Sequence, residues 1–207
     1  MKNEYYFPAL FMAIIMLASC KQGIMVENKD ENGILIERFE VTKDSVRNGL
    51  YTRYYSDGSI NETSTYVDGK LNGERKLFYP NGQVEIVERY EMDVMNGPYL
   101  VYHDNGNLKQ VVNFYDGVMS GPLKVFFSDG VLKEEVTMKD NNENGPFKEF
   151  HSNGKIHWEG NYLNGDNEFG MLKEYNENGE LIRKMECDSM AVCKTIWTKE
   201  DGDIINE

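Results

Sequence analysis

The chain has 207 residues, with 22 Lys and Arg against 35 Asp and Glu, for a net charge of −13 at pH 7. Nucleic acid and anionic lipid headgroups are bound through clustered Lys and Arg, so this balance argues against both as partners of the folded surface. The sequence contains neither a Gly-rich phosphate loop nor a nucleophile elbow, and the reading is a non-catalytic protein without metal or cofactor.

Residues 1–19 read as an export signal rather than as part of the fold. Ala9 to Leu17 is an apolar run too short to span a bilayer and suited to a signal-peptide core. It ends in Leu17-Ala18-Ser19-Cys20, which resembles the bacterial lipobox. The resemblance implies cleavage before Cys20, a diacylglycerol thioether on its sulfur and acylation of the new amino terminus. Two or more acyl chains make a stable anchor. An ordinary export signal with a chance cysteine is the alternative. Lys21, where Asp would retain the protein at the inner membrane, points to the outer membrane of a bacterial envelope. Residues 20–48 read as a tether and a degenerate leading hairpin, with Asn32-Gly33 as its turn and Ile34-Leu35-Ile36 after it.

Residues 49–187 form an array of six units, legible in two glycine combs. One falls at Gly49, Gly73, Gly97, Gly121, Gly145 and Gly170; the other follows nine residues later, at Gly58, Gly82, Gly106, Gly130, Gly154 and Gly179. A constant period of this kind marks stacked supersecondary units. Each glycine of the second comb follows Asn or Asp, a hairpin signal. Pro80 before Asn81-Gly82 suits the first central position of a type I turn. The expectation is therefore a three-residue loop with a left-handed glycine. The fold predicted is all-β, an elongated single-layer antiparallel meander of hairpins roughly 60 Å long at about 4.8 Å per strand.

This register sets an aromatic opposite an aliphatic residue in every unit: Tyr54 and Ile60, Phe78 and Val84, Tyr102 and Leu108, Phe126 and Leu132, Phe150 and Ile156, Tyr175 and Leu181. By strict alternation Tyr66, Tyr90, Phe114, Met138, Tyr162 and Cys187 join them on one face, which is then the expected core. The opposite face would carry a half-exposed aromatic strip of Tyr51, Tyr55, Tyr79, Tyr99, His103, Phe127, Phe147 and His151. Such a strip is either a docking surface for a partner or mutual packing with tips in water. His103 and His151 lie two units apart, too far to share a metal, and His151 and His157 straddle one turn without an evident third ligand.

Tyr66, Gly69, Gly73, Phe78, Asn81 and Gly82 follow the pattern of the MORN-repeat variant family, and the chain resembles that family over about two thirds of its length; Asp93 and Asn141 replace the middle glycine elsewhere. The resemblance implies a hairpin-repeat fold and is nearly silent on function, since relatives include scaffolds and antitoxin-like proteins. The leading expectation is a lipid-anchored envelope scaffold for a protein partner. The alternative is an antitoxin or immunity-like protein neutralising a toxin. Residues 188–207 close the array. If Cys20 carries lipid, Cys187 and Cys193 remain for a disulfide capping the last unit; separate thiols or a metal pair are the alternatives.

Overall fold

A computed structural model describes residues 23–204. Among them are eighteen β-strands and no helix, in one open sheet whose pairings are antiparallel. Each strand pairs with those near it in sequence, so the chain is a meander.

The loops close as the Asn-Gly and Asp-Gly dipeptides dictate. In the second unit, strands Gly73–Phe78 and Val84–Glu91 flank the Pro80-Asn81-Gly82 loop. The Gly82 N–H donates to the Tyr79 carbonyl at 2.9 Å, the Tyr79 N–H to the Gln83 carbonyl at 2.8 Å, and Gly82 takes φ +83°. This is a type I turn followed by a left-handed residue, a place where a Cβ would be strained. The aromatic–aliphatic pairing next to the turn is present in all six units. The leading stretch is a full hairpin of the same kind, Ile24–Lys29 against Leu35–Val41 with Gly33 at φ +82°. Among the described residues strand structure therefore begins at Ile24, inside the stretch read as tether and leading hairpin.

The turns between units are of another type. Asp68-Gly69, Met92-Asp93, Asp116-Gly117 and Asp140-Asn141 have positive φ at both residues, the signature of a two-residue type I′ turn; the fifth, at Asn164-Gly165, has one residue more and closes from the Leu163 N–H to the Asn167 carbonyl at 2.9 Å. Asp93 and Asn141 adopt the same left-handed backbone as the glycines they replace. Their side chains also accept the backbone N–H of Leu71 and Met119, each at 2.7 Å, which a glycine cannot do. Short polar side chains are the ones tolerated in this conformation.

One residue past each aromatic–aliphatic pair the ladder bulges. Leu77 opposes Ile86 while Phe78 opposes Val84, so Glu85 has no counterpart. Asn61, Lys109, Lys133, His157 and Ile182 occupy the same place in the other units. An extra residue reverses the facing of everything beyond it. The core expected from strict alternation therefore splits. The turn-proximal pairs stay on one face, while the row from Tyr66 to Cys187 goes to the other and joins Tyr51, Tyr99 and Phe147. Ring contacts record the union: Tyr51 with Tyr66 at 6.0 Å, Tyr99 with Phe114 at 6.0 Å, Phe147 with Tyr162 at 4.2 Å.

That second face is the covered one. Val112, Val136, Met138, Phe147, Leu172 and Cys187 form its buried cluster, with Tyr99, Phe114, Leu123, Trp158, Tyr162 and Met185 packed against it. No second layer lies over the cluster among the described residues, so the side chains of one sheet face cover one another. Gly160 shows how. It stands opposite Phe147, and a Cβ there would meet the Leu172 side chain and the Phe147 ring, the latter at 2.9 Å. The missing side chain lets Phe147 lie flat over its neighbour.

Candidate protein-binding face

The aromatic strip expected to project from the sheet is not an exposed surface. Tyr51 and Phe147 retain only 7% and 4% of their accessible surface, and Tyr99 is packed against the buried cluster. Burial and the Glu37 carboxylate accepting its hydroxyl at 2.9 Å push the Tyr51 phenol up to about 12. The bulge is the reason for the difference, because it moves the larger aromatic row to the strip's side of the sheet.

The turn-proximal members of the strip are clamps between units. Tyr55 donates its hydroxyl to the Phe78 carbonyl at 2.6 Å, and Tyr79 to the Tyr102 carbonyl at 2.8 Å. His103 Nε2 meets the Phe126 carbonyl at 3.0 Å, and His151 Nε2 the Tyr175 carbonyl at 2.8 Å. A carbonyl only accepts, so both Nε2 atoms carry a proton in these bonds and are occupied. Phe127 has no donor and is the gap in the series. A second series runs beside it: the amides of Asn81, Asn105 and Asn153 donate to the Asp104, Ser128 and Glu177 carbonyls at 2.7–2.9 Å. Asp57 and Asp129 hold that position elsewhere, and their carboxylates accept only from local donors, the Ser59 N–H and hydroxyl and the Val131 N–H.

His151 and His157 do approach, with ring centroids 4.4 Å apart. Glu149 and Glu174 lie 3.8 and 3.9 Å from the two nitrogens of His157. No group of three or more His, Cys, Asp or Glu among the described residues is arranged to hold a metal ion. Cys187 and Cys193 oppose each other across the last hairpin and are joined as a disulfide, with Cα atoms 4.0 Å apart. Cys20 lies outside the described residues.

Two features of the covered face were missed by the sequence reading. Arg75 sits in the column of Tyr51, Tyr99, Leu123, Phe147 and Leu172, and its guanidinium bonds Glu62 at 2.7 Å and Glu88 at 2.8 Å. Glu62 also takes Arg53 at 3.3 Å. Aligning the repeats by register would have exposed this cation in an apolar column. Nearer the amino terminus, the Arg47 guanidinium lies over three rings, Phe39, Tyr51 and Tyr66, at 4.7, 5.0 and 5.5 Å. Such stacking suits the planar, weakly hydrated cation.

The face left open is the one carrying the turn-proximal pairs. Phe78, Val84, Tyr102, Leu108, Phe126, Leu132, Phe150 and Ile156 are half-buried, and Ile60 at the first unit is 41% exposed. Lys76, Val84, Val87 and Tyr102 line a shallow depression between the second and third units. One large aromatic per unit recurs along this face at about 10 Å, two strand spacings.

The fold and this arrangement define an open β-hairpin repeat protein with one self-covered face. The MORN repeat variant model matches residues 47–68, 71–92, 95–115, 119–140 and 143–164, more than half of the chain, which therefore belongs to that family. The sixth hairpin, Gly170–Tyr175 with Leu181–Cys187, continues the same register beyond the last matched segment. No curated protein matches the chain.

Proposed function

We propose that this protein is a non-catalytic scaffold that holds a protein partner on the open face of its sheet, tethered by lipid at Cys20 to the outer membrane of a bacterial envelope. The observation that carries the reading is the continuous ladder of half-buried aromatic–aliphatic pairs, present in every unit and uncovered among the described residues. A long face built from identical units suits an extended protein surface better than a small ligand. Apolar surface of this extent commonly marks interaction sites. The lipobox sequence supports the anchor.

The test is crosslinking in intact cells followed by identification of what co-purifies. Leu108→Glu with Leu132→Glu is expected to abolish capture while leaving the circular dichroism spectrum unchanged. Cys20→Ser is expected to move the protein from the membrane to the soluble fraction. Capture that survives the double glutamate variant sinks the binding face, and a Cys20→Ser protein still in the membrane sinks the anchor.

A further inference from the structure

The two ends of the sheet are built differently. At the carboxyl end, Cys193–Thr198 is folded over by its own short return: Gly202–Asp203 pairs with Trp197 and Thr198, and the Ile204 N–H donates to the Ile196 carbonyl at 2.8 Å. Very short edge strands are a standard defence against further pairing. At the amino end, Ile24–Lys29 pairs with Leu35–Val41 on one side and with no described strand on the other. It presents six residues of free ladder, with Ile24 and Met25 51% and 52% exposed.

We infer that this edge pairs with the same edge of a second copy, giving a two-fold antiparallel dimer centred on Met25. A two-fold normal to the sheet keeps each face continuous, so only registers that set a residue opposite itself are available. Centring on Glu27 would oppose two like charges, and centring on Val26 would put Met25 against Glu27 twice. Centring on Met25 sets Met25 against Met25, Ile24 against Val26 on both sides, and leaves each Glu27 opposite Gly23. Across residues 23–27 apolar residues then meet apolar ones, and no like charges oppose each other.

The covered face supports the same register. Val26 opposes Phe39, whose ring lies 6.3 Å from that of Tyr51. The apolar row of the sheet thus runs out at Val26 and Ile24, and the second copy continues it. Because only one edge is free among the described strands, the contact is isologous and closes at two copies instead of growing a fibre. Pairing of one strand buries less than a standard interface, so a weak dimer is expected and about 1–100 µM is the range to survey.

Sedimentation velocity of the full chain carrying Cys20→Ser tests this over that range. The expected result is a mass that rises from 23.9 kDa toward twice that value and no further. Met25→Lys, which opposes two ammonium groups, is expected to hold the protein at the monomer with an unchanged spectrum. Met25→Cys is expected to crosslink as a covalent dimer on oxidation. Glu27→Cys is expected not to, since its two copies lie about 13 Å apart in this register. A monomer at all concentrations, species larger than two, a dimer that survives Met25→Lys, or equal crosslinking by both cysteine variants each overturns the proposal.

Discussion

Glu134 and Glu149 face each other across neighbouring strands, an arrangement that works against the fold. Burial, with Glu143 and Glu149 nearby, pushes the Glu134 carboxyl above its usual range. A raised carboxyl is penalised in the folded state when ionised, and that penalty is fully present at pH values above the folded pKa. It fades as pH falls through the folded value toward the ordinary one. Glu134→Gln is therefore expected to stabilise the protein at pH 7 by about 0.5 kcal/mol. The gain should vanish in melts below the ordinary glutamate range. Ser64 marks a second polar intrusion, opposite Tyr51, with a buried hydroxyl that has no hydrogen-bond partner.

At the scale of the hairpin, stability rests on clamps that reach the next unit. The turn of the fourth unit is the weak member, since Phe127 and Asp129 supply neither of the donors found at Tyr79 and Asn81. Phe127→Tyr should place a hydroxyl on the Phe150 carbonyl and raise stability by about 1 kcal/mol. Tyr79→Phe should lower it by a similar amount, both read from urea midpoints. Unequal signs are essential here: stabilisation by both changes would mean that ring packing, not the hydrogen bond, sets the energy.

These pairings were legible because turn chemistry is local. Asn or Asp before glycine fixes the loop, and the loop fixes which aromatic meets which aliphatic residue. The facing was not legible. The residue that bulges is Asn61, Glu85, Lys109, Lys133, His157 or Ile182, a column with no shared chemistry, so the sequence offers no mark where alternation slips. A single unmarked residue per unit thus split the expected core and buried part of the expected binding strip, while the choice of partners across each turn stayed correct.

Over the whole molecule the covered face changes character along its length. From Tyr99 onward its central columns are apolar, with Val112, Val136, Phe147 and Leu172 buried there. In the first units the same columns hold Ser64, Arg75 and Glu88. Arg75 is only 25% exposed and Glu62 and Glu88 are 8% and 10% exposed, so the network is a nearly enclosed one. Arg75→Ala leaves two enclosed carboxylates short of a partner and is expected to cost about 3 kcal/mol or more. Arg75→Leu with Glu88→Val replaces the pair by the apolar residues of later units and leaves Glu62 with Arg53. The double variant should fall much closer to the parent in thermal unfolding. A double variant as weak as Arg75→Ala would show that the ion network, rather than filled volume, holds the first units in place.

Every inter-unit clamp at the turns ends on a main-chain carbonyl of its neighbour, a group that all residues possess. At these positions the neighbour's side chains are thereby free to drift without loosening the clamp. Copying or excising one 24-residue block beyond the first two units would leave the surviving main-chain clamps intact and change the rod by about 10 Å. Reach can thus be inherited as a whole number of modules, adjusted by a single recombination event and without repair elsewhere in the chain.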